Sequence, residues 1–201
     1  MLYVIGIGPG SEATMTLEAL DALKEAEVIV GYKTYTHLVK GLTGDKEVIK
    51  TGMCKEIERC EAAIEAAKSG KKVALVCSGD SGVYGMAGLV LELVLQRPLA
   101  ERPAFGGVIA GISAVNAAAS VLGAPLMHDF AVISLSNLLT PWSLIRKRVQ
   151  MAAEGDFVTA LYNPKSKKRV QNIEEVREIM LQFRNPATPV GIVTAASREG
   201  E

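Results

Sequence analysis

Short apolar runs alternate along the chain with longer segments whose apolar residues recur at helical spacing, and this rhythm predicts an α/β protein. Residues 2–7, LYVIGI, form a continuous apolar run that ends in glycines, as a strand buried on both faces should. Leu17, Leu20 and Leu23 recur at helical spacing and predict a helix over 14–25. A short strand is expected at 28–30, then a polar helix over 55–68 closed by Gly70. The β-forming run 72–77 predicts a strand, with a turn after it and a helix continuing to 96. Residues 97–107 hold Pro98, Pro103, Gly106 and Gly107 and read as a connection. A brief strand at 108–109 and a small-residue helix over 113–122 follow, with Gly123 beyond the helix end.

The second half keeps the same rhythm. Strands are expected at 131–135, 157–162 and 189–194, and helices to about 153 and over 169–183. Thr140-Pro141-Trp142 predicts the start of the first of these helices, with the Thr140 hydroxyl as cap and proline at the first helical position. The boundary is placed in the 97–112 connection, giving an N-terminal α/β domain over 1–107 and a C-terminal one over 108–201. The tail after 194 reads as cut off, so the C-terminal domain is expected to be truncated.

Composition narrows the function. With 201 residues, 49% of them hydrophobic, the chain can bury a core, which excludes intrinsic disorder. Lys+Arg and Asp+Glu are both 22, so the formal charge is zero and a broad nucleic-acid-binding surface is not expected. No clean apolar span of about 20 residues occurs, and residues 1–8 lack the basic start of a signal peptide, so no membrane partner is expected. Cys54, Cys60 and Cys77 are too few for a disulfide scaffold, which points to a reducing cytoplasm. Their spacing matches no zinc motif, and no protein-bound metal is expected.

Candidate chemistry gathers where strands end. Gly6-Ile7-Gly8-Pro9-Gly10 resembles a dinucleotide fingerprint but fails it. The third glycine comes one residue early, Pro9 removes an N–H, and Val30 is followed by Gly31-Tyr32 where an acid belongs. No phosphate-binding P-loop is present. Ser78-Gly79-Asp80-Ser81-Gly82-Val83-Tyr84-Gly85-Met86 sits at a strand-to-helix turn. Asp80 there could hold a cationic or amine group, or could cap the following helix. Gly111-Ile112-Ser113-Ala114 is a third such turn. Leu161-Tyr162-Asn163-Pro164-Lys165-Ser166-Lys167-Lys168-Arg169 places four cations just after a strand, where they could meet an anionic substrate or simply be solvated.

Together these motifs resemble the tetrapyrrole (corrin/porphyrin) methyltransferase family. The telling strings are VIGIGPGS at 4–11, VGYKTYTHLV at 30–39, SGDSGVYGMAG at 78–88, GAPLMHDFAVISLSNLLTPW at 123–142 and LYNPKSKKR at 161–169. The likeness covers essentially the whole chain and is closest to the branch that methylates carbon 17 of precorrin-3B or cobalt-factor III, with ring contraction, in cobalamin biosynthesis. It implies two α/β domains with the ligand cleft between them, S-adenosylmethionine as methyl donor, a tetrapyrrole substrate and a homodimer. Carried over by motif, Pro9, Gly79, Asp80, Val83, Ser113, Ala114, Tyr162, Asn163 and Ala195 fall at donor contacts. Gly8, Lys33, Lys165 and Arg169 fall on the substrate side, with Arg146, Lys167 and Lys168 as further possible anchors. His128 and Asp129 are the candidates for proton movement, with Tyr35 and His37 behind them. Methylation of another macrocycle carbon, or corrinoid binding without turnover, would use the same fold.

Overall fold

The computed structural model describes residues 1–166 and 169–198. It contains two compact units, one of Met1–Ala117 with Thr194–Glu201 and one of Ala118–Val193.

The first unit is built on a parallel sheet of β1 (Leu2–Gly6), β2 (Val28–Tyr32), β3 (Glu47–Thr51), β4 (Val73–Cys77) and β5 (Phe105–Ile109), ordered β3-β2-β4-β1-β5. β4 lies at the centre and is buried along its whole length, which explains its unbroken apolar sequence. Edge strand β3 instead carries Glu47 and Lys50, charges that discourage pairing with another chain. α1 (Leu17–Glu25) and α2 (Lys33–Leu38) follow β1 and β2 in the chain, while α3 (Glu56–Lys68) and α4 (Ala87–Leu95) follow β3 and β4. One sheet face presents Val4, Val30 and Leu75 to Ile64 and Ala63 of α3 and Val90 of α4. The other presents Ile5, Ile29 and Val76 to Ala19 and Leu23 of α1 and to Val39. Each such large side chain, fully buried, stabilises the unit by roughly 1.5–3 kcal/mol.

The expected boundary after residue 107 runs through β5, which pairs with β1 from Leu2 to Ile5 and so belongs to the first unit. α2 and β3 had no counterpart in the sequence reading. Leu17 is 80% exposed, because α1 begins there and turns Ala19 and Leu23 inward instead.

The second unit pairs β6 (Phe130–Ser134) and β7 (Val158–Tyr162) in parallel. α6 (Trp142–Glu154) and α7 (Asn172–Leu181) pack on them through Ile145, Val149, Val176 and Ile179. α5 (Ala114–Val121) spans the junction of the two units in the chain. Two expectations fail. Pro141 occupies the cap position of α6 and no side chain caps it, so Thr140 does not play the expected role. Residues 189–194 form no ladder, and Val190 and Ile192 are 85% and 87% exposed. A strand needs a neighbour to pair its N–H and C=O groups, and among the described residues none pairs with this segment.

Candidate functional site

In open parallel sheets, ligands bind beyond the carboxyl ends of the strands. In the first unit the loops leaving the adjacent strands β4, β1 and β5 meet there through their backbones. Gly8 N donates to Gly79 O at 3.0 Å and Gly79 N donates to Gly8 O at 2.7 Å. Both glycines are left-handed, with φ of 70° and 69°. The third loop closes against these two at Gly111. A Cβ there would lie 2.6 Å from Gly6 O and closer still to Gly79 O, so only glycine fits.

Asp80 braces this junction. Its Oδ1 accepts from Gly82 N at 2.8 Å and Val83 N at 3.0 Å, and its Oδ2 accepts from Gly111 N at 3.1 Å. The aspartate therefore caps no helix, since α4 starts at Ala87 behind Met86, and both carboxylate oxygens already hold backbone. Ser81 Oγ donates to Ile109 O at 3.2 Å and ties the same loops again. Ser113 and Ala114 come next to this junction: the Cβ position of Gly79 lies 3.5 Å from Ala114 N. Val83 is exposed beside Asp80 and offers apolar surface.

The segment Thr194–Arg198 returns to these loops. Arg198 Nε donates to Pro9 O at 2.5 Å and Nη2 donates to Ser78 Oγ at 2.6 Å. Ala195 O accepts from Arg198 N at 2.8 Å, within a turn where Ala195 and Ser197 have positive φ. Burial raises the Tyr35 hydroxyl above its ordinary pKa, while Arg198 and Arg59 oppose the rise. Arg59 is only 4% exposed. It donates to Thr51 Oγ1 at 2.6 Å, Gly52 O at 2.8 Å and Met86 Sδ at 3.4 Å, and stacks 5.8 Å from the Tyr32 ring centre. Among the described residues no carboxylate pairs with Arg59 or Arg198. Neutral acceptors satisfy both, and both leave positive potential at this end of the sheet.

In the second unit, Tyr162 and Asn163 sit at the carboxyl end of β7. Ser134 of β6 pairs with Tyr162 in register. Asn163 is left-handed, with φ 51°, and its Nδ2 donates to Ser134 Oγ at 3.0 Å. Arg169 Nη2 donates to Asn163 O at 2.9 Å, which brings Arg169 back to the strand end. Arg169 Nε is buried without a partner among the described residues.

Comparison with known proteins decides the family. The family model for tetrapyrrole (corrin/porphyrin) methylases matches residues 1–201. The chain belongs to this family. A protein of Salmonella typhimurium named probable cobalt-factor III C(17)-methyltransferase is 58% identical over 201 residues, covering 100% of this chain and 82% of that one. A longer cobalt-factor III methyltransferase of Priestia megaterium is 50% identical over the whole chain, which spans 37% of its length. The crystal structure of the methyltransferase CobJ superposes with a TM-score of 0.86 at 38% identity, over 92% of this chain and 77% of that one.

For a tetrapyrrole methylase, the positions expected from sequence divide cleanly. Gly8, Pro9, Gly79, Asp80, Val83, Ser113, Ala114 and Ala195 belong to the loops and the returning segment of the first unit. Tyr162, Asn163 and Arg169 meet at one strand end of the second unit, and Lys165 is exposed in the intervening turn. His128 and Asp129 are exposed at the opposite, amino end of β6, where Asp129 O accepts from Val158 N at 3.1 Å. A five-residue strand, about 16 Å at ~3.3 Å per residue, separates them from Tyr162–Asn163. Arg146 is not a free anchor either: its Nε lies 3.6 Å from Glu175 Oε2 on α7. Lys167 and Lys168 lie outside the described residues. Gly6 and Gly111 fall in the candidate motifs without being singled out, and Arg59 and Arg198 were missed as site residues. The two glycines announce themselves as strand-end glycines, whereas neither arginine has a local sequence signal.

No helix among the described residues is long and apolar enough to cross a membrane. The described residues hold no cluster of His, Cys, Asp and Glu arranged for a metal ion.

Proposed function

We propose that this chain methylates carbon 17 of a corrin precursor, precorrin-3B or cobalt-factor III, with contraction of the ring, using S-adenosylmethionine in cobalamin biosynthesis. The observation that carries the reading is the backbone junction of the loops after β1, β4 and β5, braced by Asp80. Family membership and the names of the relatives at 58% and 50% identity support the choice of carbon.

The residues present fit the methyl donor. Glycines at 8, 79 and 111 keep side chains out of the junction, and exposed Val83 supplies apolar contact for a nucleoside. In the second unit the Tyr162–Asn163 turn carries the remaining donor contacts that the family likeness implies. Methyl transfer is an in-line displacement: the new C–C bond forms as the S–C bond breaks, and that electron pair returns to sulfur. No protein nucleophile is required. The chain's own work is to hold the two reactants in line, an effect worth up to roughly 7–11 kcal/mol in well-oriented systems. Asp80 serves it by fixing the Gly82–Val83 and Gly111 amides, and Arg198 by tying Pro9 to Ser78. Lys33, Lys165 and Arg169 supply positive charge toward a substrate rich in carboxylates. A cytoplasmic homodimer is the working assembly under this reading.

Calorimetric titration of the full chain with S-adenosylhomocysteine tests the donor site. Micromolar binding, weakened in Asp80→Ala, is the expected result. Absence of binding by the parent would overturn the reading.

A further inference from the structure

A second feature of the first unit lies outside the glycine junction. A cavity of about 610 Å³ is lined by Lys33, Thr34, Thr36, His37, Lys40, Thr43, Val48 and Lys50. It starts at the carboxyl end of β2, where Lys33 opens α2, and runs along α2 to the edge strand β3. Alternation along β3 turns Val48 and Lys50 to this face. Glu47, of opposite parity, binds Lys71 at 2.7 Å instead.

The lining contains three lysines and no carboxylate. The first unit's other lysines are all engaged: Lys24, Lys55, Lys68, Lys71 and Lys72 with acids, and Lys46 with the carbonyls of Lys24 and Ala26. Among the described lysines of this unit, only Lys33, Lys40 and Lys50 have side chains without a hydrogen-bond or ion-pair partner. Asp45, Glu47 and Glu12 lie near lining residues in sequence or space, but none of them lines the cavity. Glu12 lies instead against Gly41, 2.8 Å from where a Cβ would be. In a chain with no net charge, three lysines around one cavity, with no carboxylate in its lining, concentrate positive potential there.

We infer that the cavity bounded by Lys33, Lys40 and Lys50 is a carboxylate-binding subsite that seats side-chain carboxylates of the tetrapyrrole substrate. The inference rests on the functional reading above and adds the place where the macrocycle's periphery is held. Each lysine contributes a point charge with rotatable donors, suited to flexible carboxylate arms, while Thr34 adds an exposed hydroxyl beside Lys33.

Uroporphyrin, a tetrapyrrole with carboxylates on every pyrrole ring, is the probe, read by its fluorescence. It is titrated into the parent, into Lys33→Gln/Lys40→Gln/Lys50→Gln, and into Lys24→Gln/Lys71→Gln/Lys72→Gln, which removes the same charge elsewhere on the unit. The cavity variant should bind about tenfold or more weakly and the control within about threefold of the parent, given what individual surface charges contribute. Salt at ~0.5 M should erase most of the difference. S-Adenosylhomocysteine binding should be unchanged in both variants. Equal weakening in the two variants, or none in either, overturns the inference. Lysine-dependent binding of free citrate without binding of uroporphyrin also overturns it, because the site would then serve a small polycarboxylate. Failure of the parent to bind S-adenosylhomocysteine sinks the donor reading alone, so the two ideas fail separately.

Discussion

Replacing Gly111 by alanine probes the junction most directly. The added Cβ would sit 2.6 Å from Gly6 O, and nearer to Gly79 O, where carbon needs roughly 3.5 Å. Relief requires the Gly79 carbonyl to retreat by about 1 Å. That same oxygen accepts the Gly8 amide at 3.0 Å, so the retreat breaks or bends one strand of the junction. Overpacking of this kind costs about 1–3 kcal/mol, and a weakened hydrogen bond adds about 1 kcal/mol. A total of about 2–4 kcal/mol should move a urea midpoint by roughly 1–2 M at a slope near 2 kcal/mol/M. Binding of S-adenosylhomocysteine should fall with it. Gly88→Ala is the matched control: nothing lies within 4 Å of its Cβ position, in α4, and a gain of about 0.5–1 kcal/mol is expected there. Gly6→Ala meets the same Gly79 oxygen at 2.8 Å, so the double variant should lose less than the sum of the singles. If Gly111→Ala keeps the parent's midpoint and affinity, the three loops are not packed together as described.

Asp80→Asn keeps an acceptor for Gly82 and Val83 but turns an NH₂ group toward Gly111 N–H, so stability should fall by about 1–3 kcal/mol, with weaker donor binding by calorimetry; parent-like affinity in both Asn and Ala variants would remove Asp80 from the site. Burial pushes the Cys77 thiol up to about 11 and the Cys60 thiol up to about 12. The folded state therefore keeps these protons while the unfolded chain loses them from about pH 9, so stability is full below that pH and falls as pH rises toward 11–12. The slope should approach 1.4 kcal/mol per pH unit for each thiol, and a urea series from pH ~8 to ~10.5 should be flatter for Cys77→Ala; an unchanged slope would show that Cys77 does not titrate this way. Cys54 is exposed and the other two thiols are buried, so a thiol reagent should label one site quickly in native protein and all three in denaturant. Fast labelling of all three in native protein would contradict this core.

Much of the first unit is legible from local pattern. β4 reads as a strand because burial on both faces demands an unbroken apolar run, and α3 because its polar face and closing Gly70 are local signals. α2 and β3 escape the same reading. Their burial is partial, and the charges of β3 hide its alternation because it is an edge. Residues 189–194 show the converse error: their composition favours a strand, but pairing needs a partner that local sequence does not reveal.

The sequence alone determined the α/β class, the strand-end positions of the glycine motifs and the family likeness, because each is written in neighbouring residues. Asp80's role was left open between ligand contact and helix cap, and its bracing of the loops escaped notice, since its three backbone donors include Gly111, thirty-one positions away. Arg198 reaches Pro9 across a separation of 189 and Arg59 reaches Met86 across 27. Three unpaired lysines surround one cavity only because α2 folds back against β3. Such partners depend on where the chain returns in space, and only the tertiary structure sets that.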